Sequence, residues 1–343
     1  ITAGLLAAAI AVGGFVGYQA WRLIHDPFRG YTATAKVIDV PRGTDARQIL
    51  SNLQAEGVIA DARLARLYLI YQLQDPFLKA GEYRFEGPLT TPEVLAKLIR
   101  GEVVTYPITI IEGLTLQQTV ERLALTGFGE AAEFEALVRS PERIRDLDST
   151  ASDLEGYLFP ETYQVARGTS PDEIIGTMVS TFRRLYEGEV APLVDPQAEL
   201  SVRDIVTLAS IVETEAQLNE ERPIIAGVYA NRLRIGMPLQ ADPTVIYSLT
   251  LAGIYDGNLR RDDLKFDSPY NTYVHAGLPP GPIASPGLAS LRAAARPADV
   301  PYLYFVSRND GSHVFAETLR EHNRNVNEWQ KLYWRRKWAE ERR

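Results

Sequence analysis

Residues 208–247, LASIVETEAQLNEERPIIAGVYANRLRIGMPLQADPTVIY, put a carboxylate on an apolar helix face, and the reading of the chain turns on it. At about 100° per residue from Asp204, Ile205, Leu208, Ile211 and Val212 gather on one sector with Glu215 near its centre. Glu213 turns almost the opposite way, alongside Val206 and Ser210. An acid on the apolar stripe is costly unless it is paired, protonated or facing a cleft. Two readings fit. In one, Glu215 forms a structural ion pair with Arg222, Arg232 or Arg234. In the other, it is a carboxyl group in poor solvent, with the raised pKa that a general acid needs near neutral pH.

Around this stretch, periodicity predicts helices over 171–186 and 202–219. The run Glu220-Glu-Arg-Pro223 interrupts the pattern, and Pro223 suits the first turn of a third helix that ends at Arg234 with Gly236 as its stop. Beyond Gln240 the chain reads as loop-rich, with seven prolines from Pro243 to Pro297. Residues 301–307 read as a strand and 319–337 as a final amphipathic helix. The basic end at 335–337, with Arg342 and Arg343, is a solvated tail in preference to a phospholipid contact. Upstream, a weak repeat joins residues 37–50 and 108–120: an alternating strand, a glycine turn at Gly43 or Gly113, then a helix. Between the copies, residues 81–85 form a strand, and Thr91 caps a helix over 92–99.

The opening run ITAGLLAAAIAVGGFVGYQAW is uncharged and apolar, long enough to cross a bilayer as a helix of about 20 residues. Tyr18 and Trp21 suit a membrane interface. Bulky Tyr18, Trp21 and Leu23 stand where a signal peptidase prefers small residues, so an uncleaved anchor is preferred to a signal peptide or a buried soluble helix. The chain opens on Ile1, so further residues are expected upstream. With 343 residues, 45% hydrophobic and 23% charged, the rest has a globular composition with room for a sizeable core. A net charge of −8 disfavours nucleic acid. Cysteine is absent, which removes disulfides, thiolate metal sites and a cysteine nucleophile, and fits an oxidising compartment. The four histidines, at 25, 275, 313 and 322, lack metal-ligand spacing, so no metal or other cofactor is expected. G-x-S-x-G and H-E-x-x-H are missing, which disfavours a serine or metal protease.

Longer motifs carry a family resemblance. ASIVETE at 209–215 and VYANRLRIGMPLQADPTVIY at 228–247 are joined by EGYLFPETY at 155–163, YNTY at 270–273, GLPPG at 277–281, SPG at 285–287, PYLYFV at 301–306 and His322-Asn323. Together they resemble the MltG (YceG-like) family of endolytic murein transglycosylases, over most of the chain after its first thirty or so residues. The resemblance implies an α+β protein: a transmembrane anchor at 1–24, a small LysM-like α+β module at 33–105 associated with glycan binding, and a mixed α/β catalytic domain at 106–340 with a helical core and a loop-rich cleft. It implies a single acid, Glu215, that protonates the MurNAc–GlcNAc glycosidic oxygen and then acts as base on the C6 hydroxyl, leaving 1,6-anhydro-MurNAc ends. The implied setting is the bacterial inner membrane, with the catalytic part periplasmic. The implied partners are peptidoglycan glycan strands and the peptidoglycan synthases (penicillin-binding proteins).

Around Glu215 the polar candidates for holding sugar hydroxyls and acetamides are Asn231, Gln240, Asp242, Thr244 and Asn271. Tyr163, Tyr247, Tyr270 and Tyr273 offer flat faces for sugar rings with a hydroxyl handle. Against these stand plainer roles: Asp242 before Pro243 as a turn or cap residue, and the tyrosines as half-buried core. Glu155 and Glu161 are possible second carboxylates, better read as hydrogen-bonded loop anchors. Two other functions fit the same motifs. One is a non-catalytic peptidoglycan-binding scaffold; the other is a hydrolase, which needs a second carboxylate roughly 5–10 Å from the first.

Overall fold

Glycine turns and side-chain caps, more than helix propensity, set the boundaries of the first elements. In the computed structural model, which describes residues 2–198 and 200–335, the chain divides into two units. The first holds Ile1–Pro107 together with Gln164–Thr169. It begins with α1 (Thr2–His25), whose apolar side chains, among them Leu5, Ile10, Val12 and Phe15, are exposed. The 22 residues Gly4–His25 are long and apolar enough to cross a membrane. The end of α1 is tied down by rings: His25 meets Trp21 at 4.9 Å and the edge of Tyr68 at 5.8 Å.

Then follow β1 (Ala35–Val40), α2 (Ala46–Ala55), α3 (Ala62–Tyr71), β2 (Gly81–Glu86) and α4 (Thr91–Arg100). β1 and β2 are antiparallel, with Ile38 opposite Tyr83. Alternation sends Ile38, Val40, Tyr83 and Phe85 inward, onto Leu50, Leu53, Leu69, Leu95 and Leu98 from the helices. Asp45 and Asp61 accept backbone N–H groups at the starts of α2 and α3. The cap of α4 is Thr90, one residue before the Thr91 expected from sequence. The reason is Glu93, which returns a bond to the Thr90 backbone N–H at 2.8 Å and closes a reciprocal capping box that Thr91 cannot make. The helix α3 was not expected at all; its first turn follows a polar Asp61 cap with no glycine or proline to announce it.

β3 (Thr105–Thr109) pairs with β4 (Thr162–Ala166) in a two-stranded ribbon. The second unit, Ile108–Tyr163 and the chain from Ser170 onwards, is mainly helical. It contains α5 (Leu116–Ala124), α6 (Ala131–Val138), α7 (Pro171–Leu185), α8 (Val202–Glu215), α9 (Arg222–Arg234), α10 (Asp242–Leu251) and α11 (Leu288–Ala295). The hairpin of β5 (Tyr304–Ser307) and β6 (His313–Ala316) and then α12 (Leu319–Val326) complete it. In β5–β6, Ser307 pairs with His313 and Tyr304 with Ala316.

The centre of this unit is α8, which packs against α9, α10 and α11. Every residue from Ile205 to Val212 is buried, so the helix is a core element on all sides, not one with a single apolar face. It ends at Glu215, four residues short of the expected stop, because Ala216 turns extended (φ −84°, ψ 122°). The region beyond Gln240, expected to be loop-rich, also contains α10 and α11; Pro243 sits in the first turn of α10, where a proline fits without cost. Residues 252–287 between them are irregular apart from one short turn. The expected strand at 301–307 starts at Tyr304. The expected last helix continues past α12 through a wider π-type turn, Asn327–Leu332. Arg336, Lys337, Arg342 and Arg343 of the expected basic tail lie outside the described residues.

Candidate active site

Two glutamates two residues apart at the end of α8 have opposite surroundings. The Glu213 side chain is 5% exposed and accepts from the equally buried Arg222 guanidinium at 2.9 Å. Its other oxygen accepts the Gly287 backbone N–H at 2.9 Å, at the start of α11. Arg222 also donates to the Ala216 carbonyl at 3.0 Å. Glu215 is half-buried and faces the other way. Its hydrogen-bond donor is Tyr229 of α9, whose hydroxyl reaches Oε1 at 3.2 Å. None of the three arginines expected as structural partners bridges Glu215. Arg222 is held by Glu213; Arg234 donates to Asn231 Oδ1 at 2.7 Å; Arg232 donates to the carbonyls of Leu303 and Leu239 at 2.7 and 2.6 Å.

Glu215 opens onto a cleft of about 430 Å³ whose walls come from α8, α9, the 239–242 segment, Tyr273, the β5–β6 hairpin and α12. Burial, and then the charge of Asp242, push the Glu215 carboxyl up to about 7; Tyr229 and Arg232 pull weakly the other way. Its place in the last turn of α8, where the helix dipole disfavours an anion, acts in the same direction as burial. Burial and the adjacent Glu215 hold the Tyr229 hydroxyl well above its ordinary range, so it stays protonated and remains a donor. Burial lowers the Arg232 guanidinium from its usual value; it lies over the Tyr304 ring at 5.4 Å.

Of the other expected site residues, Gln240, Asp242 and Tyr273 line this cleft. Tyr273 donates to Asp242 Oδ1 at 2.6 Å. Gln240 adopts a left-handed backbone (φ 49°), fixed by its N–H to Thr272 O at 3.1 Å. Such a conformation costs roughly 1–3 kcal/mol in a residue other than glycine.

The remaining candidates sit elsewhere and have structural partners. Asn231 donates to the carbonyls of Val300 and Tyr302. Thr244 is fully buried and bonds to Ala241 O and Thr272. Asn271, also fully buried, donates to Leu264 O and Phe266 O. Tyr163 donates to Phe159 O at 2.6 Å. Tyr247 packs on Tyr270 (5.0 Å between rings) and donates to Glu155 at 3.1 Å. Glu155 is buried and accepts the Leu116 N–H with both oxygens, capping α5; burial drives its pKa up to about 8.

Sequence reading missed Tyr229, Arg232, His313 and His322, all of which line the cleft. Arg232 was weighed only as an ion-pair partner of Glu215, Tyr229 stood inside the VYANR run without a role of its own, and the two histidines were weighed only as metal ligands.

The sequence model of the YceG-like family matches residues 38–328. The chain is 33% identical over 334 residues to the endolytic murein transglycosylase of Bacillus subtilis strain 168, an alignment covering 92% of this chain and 90% of that one. It is 31% identical to the endolytic murein transglycosylase of Streptococcus pneumoniae strain R6, over 94% of this chain and 63% of the longer relative. A crystal structure of a YceG-like protein from Listeria monocytogenes superposes with a TM-score of 0.58 at 32% identity, over 85% of this chain and 99% of that one. The fold is thus one shared with solved relatives at substantial sequence identity. This chain belongs to the YceG-like family.

The two glutamates should separate cleanly in stability measurements. Glu213→Gln leaves the buried Arg222 with only the half-exposed Glu112 at 3.9 Å as a charged partner, and should cost roughly 3–5 kcal/mol. For Glu215 the fold favours the protonated form. The stability it contributes is present below its ordinary value of 4.5 and is lost as pH rises through about 7. Glu215→Gln loses nothing with pH, so its advantage over wild type should grow between those values and level off at about 3 kcal/mol. Thermal melts of both variants from pH 4 to 8.5 check this; equal destabilisation by the two at pH 8 would refute it.

Proposed function

We propose that this chain is an endolytic murein transglycosylase in which Glu215 is both general acid and general base. The observation that carries the reading is a half-buried carboxyl, held protonated up to about pH 7, with a neutral hydroxyl as its hydrogen-bond partner in an open polar cleft. The names of the relatives in Bacillus and Streptococcus support it.

In the proposed reaction Glu215 gives its proton to the glycosidic oxygen as the bond from MurNAc C1 breaks. The carboxylate left behind takes the proton of the C6 hydroxyl of the same MurNAc, whose oxygen closes on C1. A 1,6-anhydro-MurNAc end results and Glu215 is reprotonated, so no water is consumed and the balance calls for no cofactor. Tyr229 holds the acid in place. The Asp242 carboxylate, fixed by Tyr273 and sharing the cleft, raises the proton affinity of Glu215 and would favour positive charge developing at C1. Cleavage inside nascent strands would end their elongation, which suits an inner-membrane protein with a periplasmic cleft working beside the peptidoglycan synthases. A second reading follows from Asp242 sharing the cleft: a hydrolase with two carboxylates that activates water and leaves reducing ends.

Glu215→Gln keeps size and hydrogen bonding but cannot carry a proton. General acid–base help is worth about 10²–10⁴-fold, and one residue serves both halves here, so the loss of kcat should lie at or above that range. In wild type, kcat/KM should fall as pH rises through about 7, where the acid deprotonates. Mass spectrometry of muropeptides released from purified sacculi decides the chemistry: anhydro ends support the transglycosylase, reducing ends the hydrolase. Release unchanged by Glu215→Gln would remove both.

Two further parts of the proposal have their own tests. As a membrane anchor, α1 should keep the intact chain in the membrane pellet after alkaline carbonate extraction, and release into the supernatant would contradict it. As a LysM-like glycan holder, the module at 33–105 should speed cleavage of long strands. A chain lacking residues 1–105 should therefore cut them more slowly, and an unchanged rate would remove this role.

A further inference from the structure

The cleft contains a second buried pair that the proposed reaction leaves unused. Glu221, the residue before α9, is 8% exposed, and both of its oxygens go to one residue of the β5–β6 hairpin. Oε1 accepts the backbone N–H of His313 at 2.9 Å, and Oε2 faces the His313 ring Nδ1 at 2.7 Å. The backbone bond alone would pin the hairpin to α9. The second bond does something more: it fixes the rotation of the imidazole. The ring also meets Phe305 edge-on at 5.4 Å, and Phe305 meets Tyr229 edge-on at 5.8 Å. Tyr229 in turn donates to Glu215. The imidazole and the acid are therefore set on one chain of packed rings, and both line the same cleft.

Chemistry fixes what the ring can offer. A carboxylate only accepts, so the proton between Glu221 and the ring belongs to Nδ1; in the neutral imidazole this tautomer leaves Nε2 as an acceptor. The contacts of His313 with the described residues are to Nδ1, its backbone and its ring faces. We propose that His313 is a saccharide-binding residue: its Nε2 accepts a hydrogen bond from a hydroxyl or acetamido N–H of the aminosugar seated beside Glu215, and Glu221 is the residue that positions it. The inference rests on the murein reading of the cleft and adds to it a contact made by the hairpin wall, opposite α8.

The test measures binding without turnover. The full chain carrying Glu215→Gln is titrated with a peptide-free tetrasaccharide of alternating GlcNAc and MurNAc by calorimetry. Adding His313→Ala should weaken binding at least about tenfold. His313→Gln, whose amide reaches the Nε2 position, should recover part of the loss. Glu221→Gln, which leaves the imidazole but loosens its aim, should weaken binding about three- to fivefold. A folded His313→Ala variant with unchanged affinity overturns the inference while leaving the murein reading intact. Should the tetrasaccharide fail to bind Glu215→Gln, and wild type fail to cleave it or longer strands, the murein reading falls and this inference with it. If the His313 variants do not fold, ring-¹⁵N histidine spectra of Glu215→Gln take their place. The ring whose signals change with Glu221→Gln should show a protonated Nδ1 and a bare Nε2, and that Nε2 should shift on adding tetrasaccharide. An Nε2 signal that ignores the sugar overturns the proposal.

Discussion

The buried ion pair between Glu213 and Arg222 is the constraint on which the site depends. It joins three helix ends at one point: the last turn of α8 through Glu213, the first residue of α9 through Arg222, and the start of α11 through the Gly287 N–H. Arg222 also takes up the Ala216 carbonyl, where α8 gives way to extended chain. A buried pair of this kind adds little net stability over an apolar replacement, because desolvation offsets much of the attraction. Its contribution here is geometric. With Glu213 pinned, the next turn position but one is directed into the cleft, and Glu215 has no freedom to seek a cation of its own.

The arginines around the cleft illustrate how that separation is kept. Arg232 lies close enough to be felt by Glu215, yet its Nε and Nη1 donate to the carbonyls of Leu303 and Leu239 and no ion pair with Glu215 forms. A guanidinium bridging Glu215 would hold the carboxyl ionised and spoil it as an acid. Instead the field at Glu215 is set by burial and by Asp242, both of which favour the proton. The same backbone bonds tie α9 to the β5–β6 hairpin, so the features that keep the acid protonated also build the opposite wall of the cleft.

Much of the frame was legible where local chemistry decides it. The glycine turns at Gly43 and Gly113 separate strand from helix as the repeat suggested, and Pro223 and Gly236 bracket α9. The helix α10 was not picked out because Pro243 was counted with the loop prolines, although it sits in a first turn just as Pro223 does in α9. The site was legible in part. Helical phase separated Glu215 from Glu213, but it could not say that Glu213 would be buried as well, since that depends on Gly287 and Arg222 arriving from other segments. Asp242 and Tyr247 are neighbours in the sequence, yet five positions on a helix is about 140° of rotation. Asp242 therefore faces Glu215, while Tyr247 turns to Glu155. His313 and His322 come from a hairpin and a helix about a hundred residues downstream, and no spacing rule links them to Glu215.

The proposed reaction requires the carboxyl at the end of α8 to hold its proton near neutral pH. Titrating the protein labelled with ¹³C at the glutamate carboxyl carbons, and subtracting the same titration of Glu215→Gln, isolates that group. The difference should contain one carboxyl with a midpoint near 7, well above the ordinary 4.5, and distinct from the Glu155 signal that both proteins share. A difference signal titrating near 4.5 would instead show Glu215 to be an ordinary ionised side chain, unable to serve as the acid.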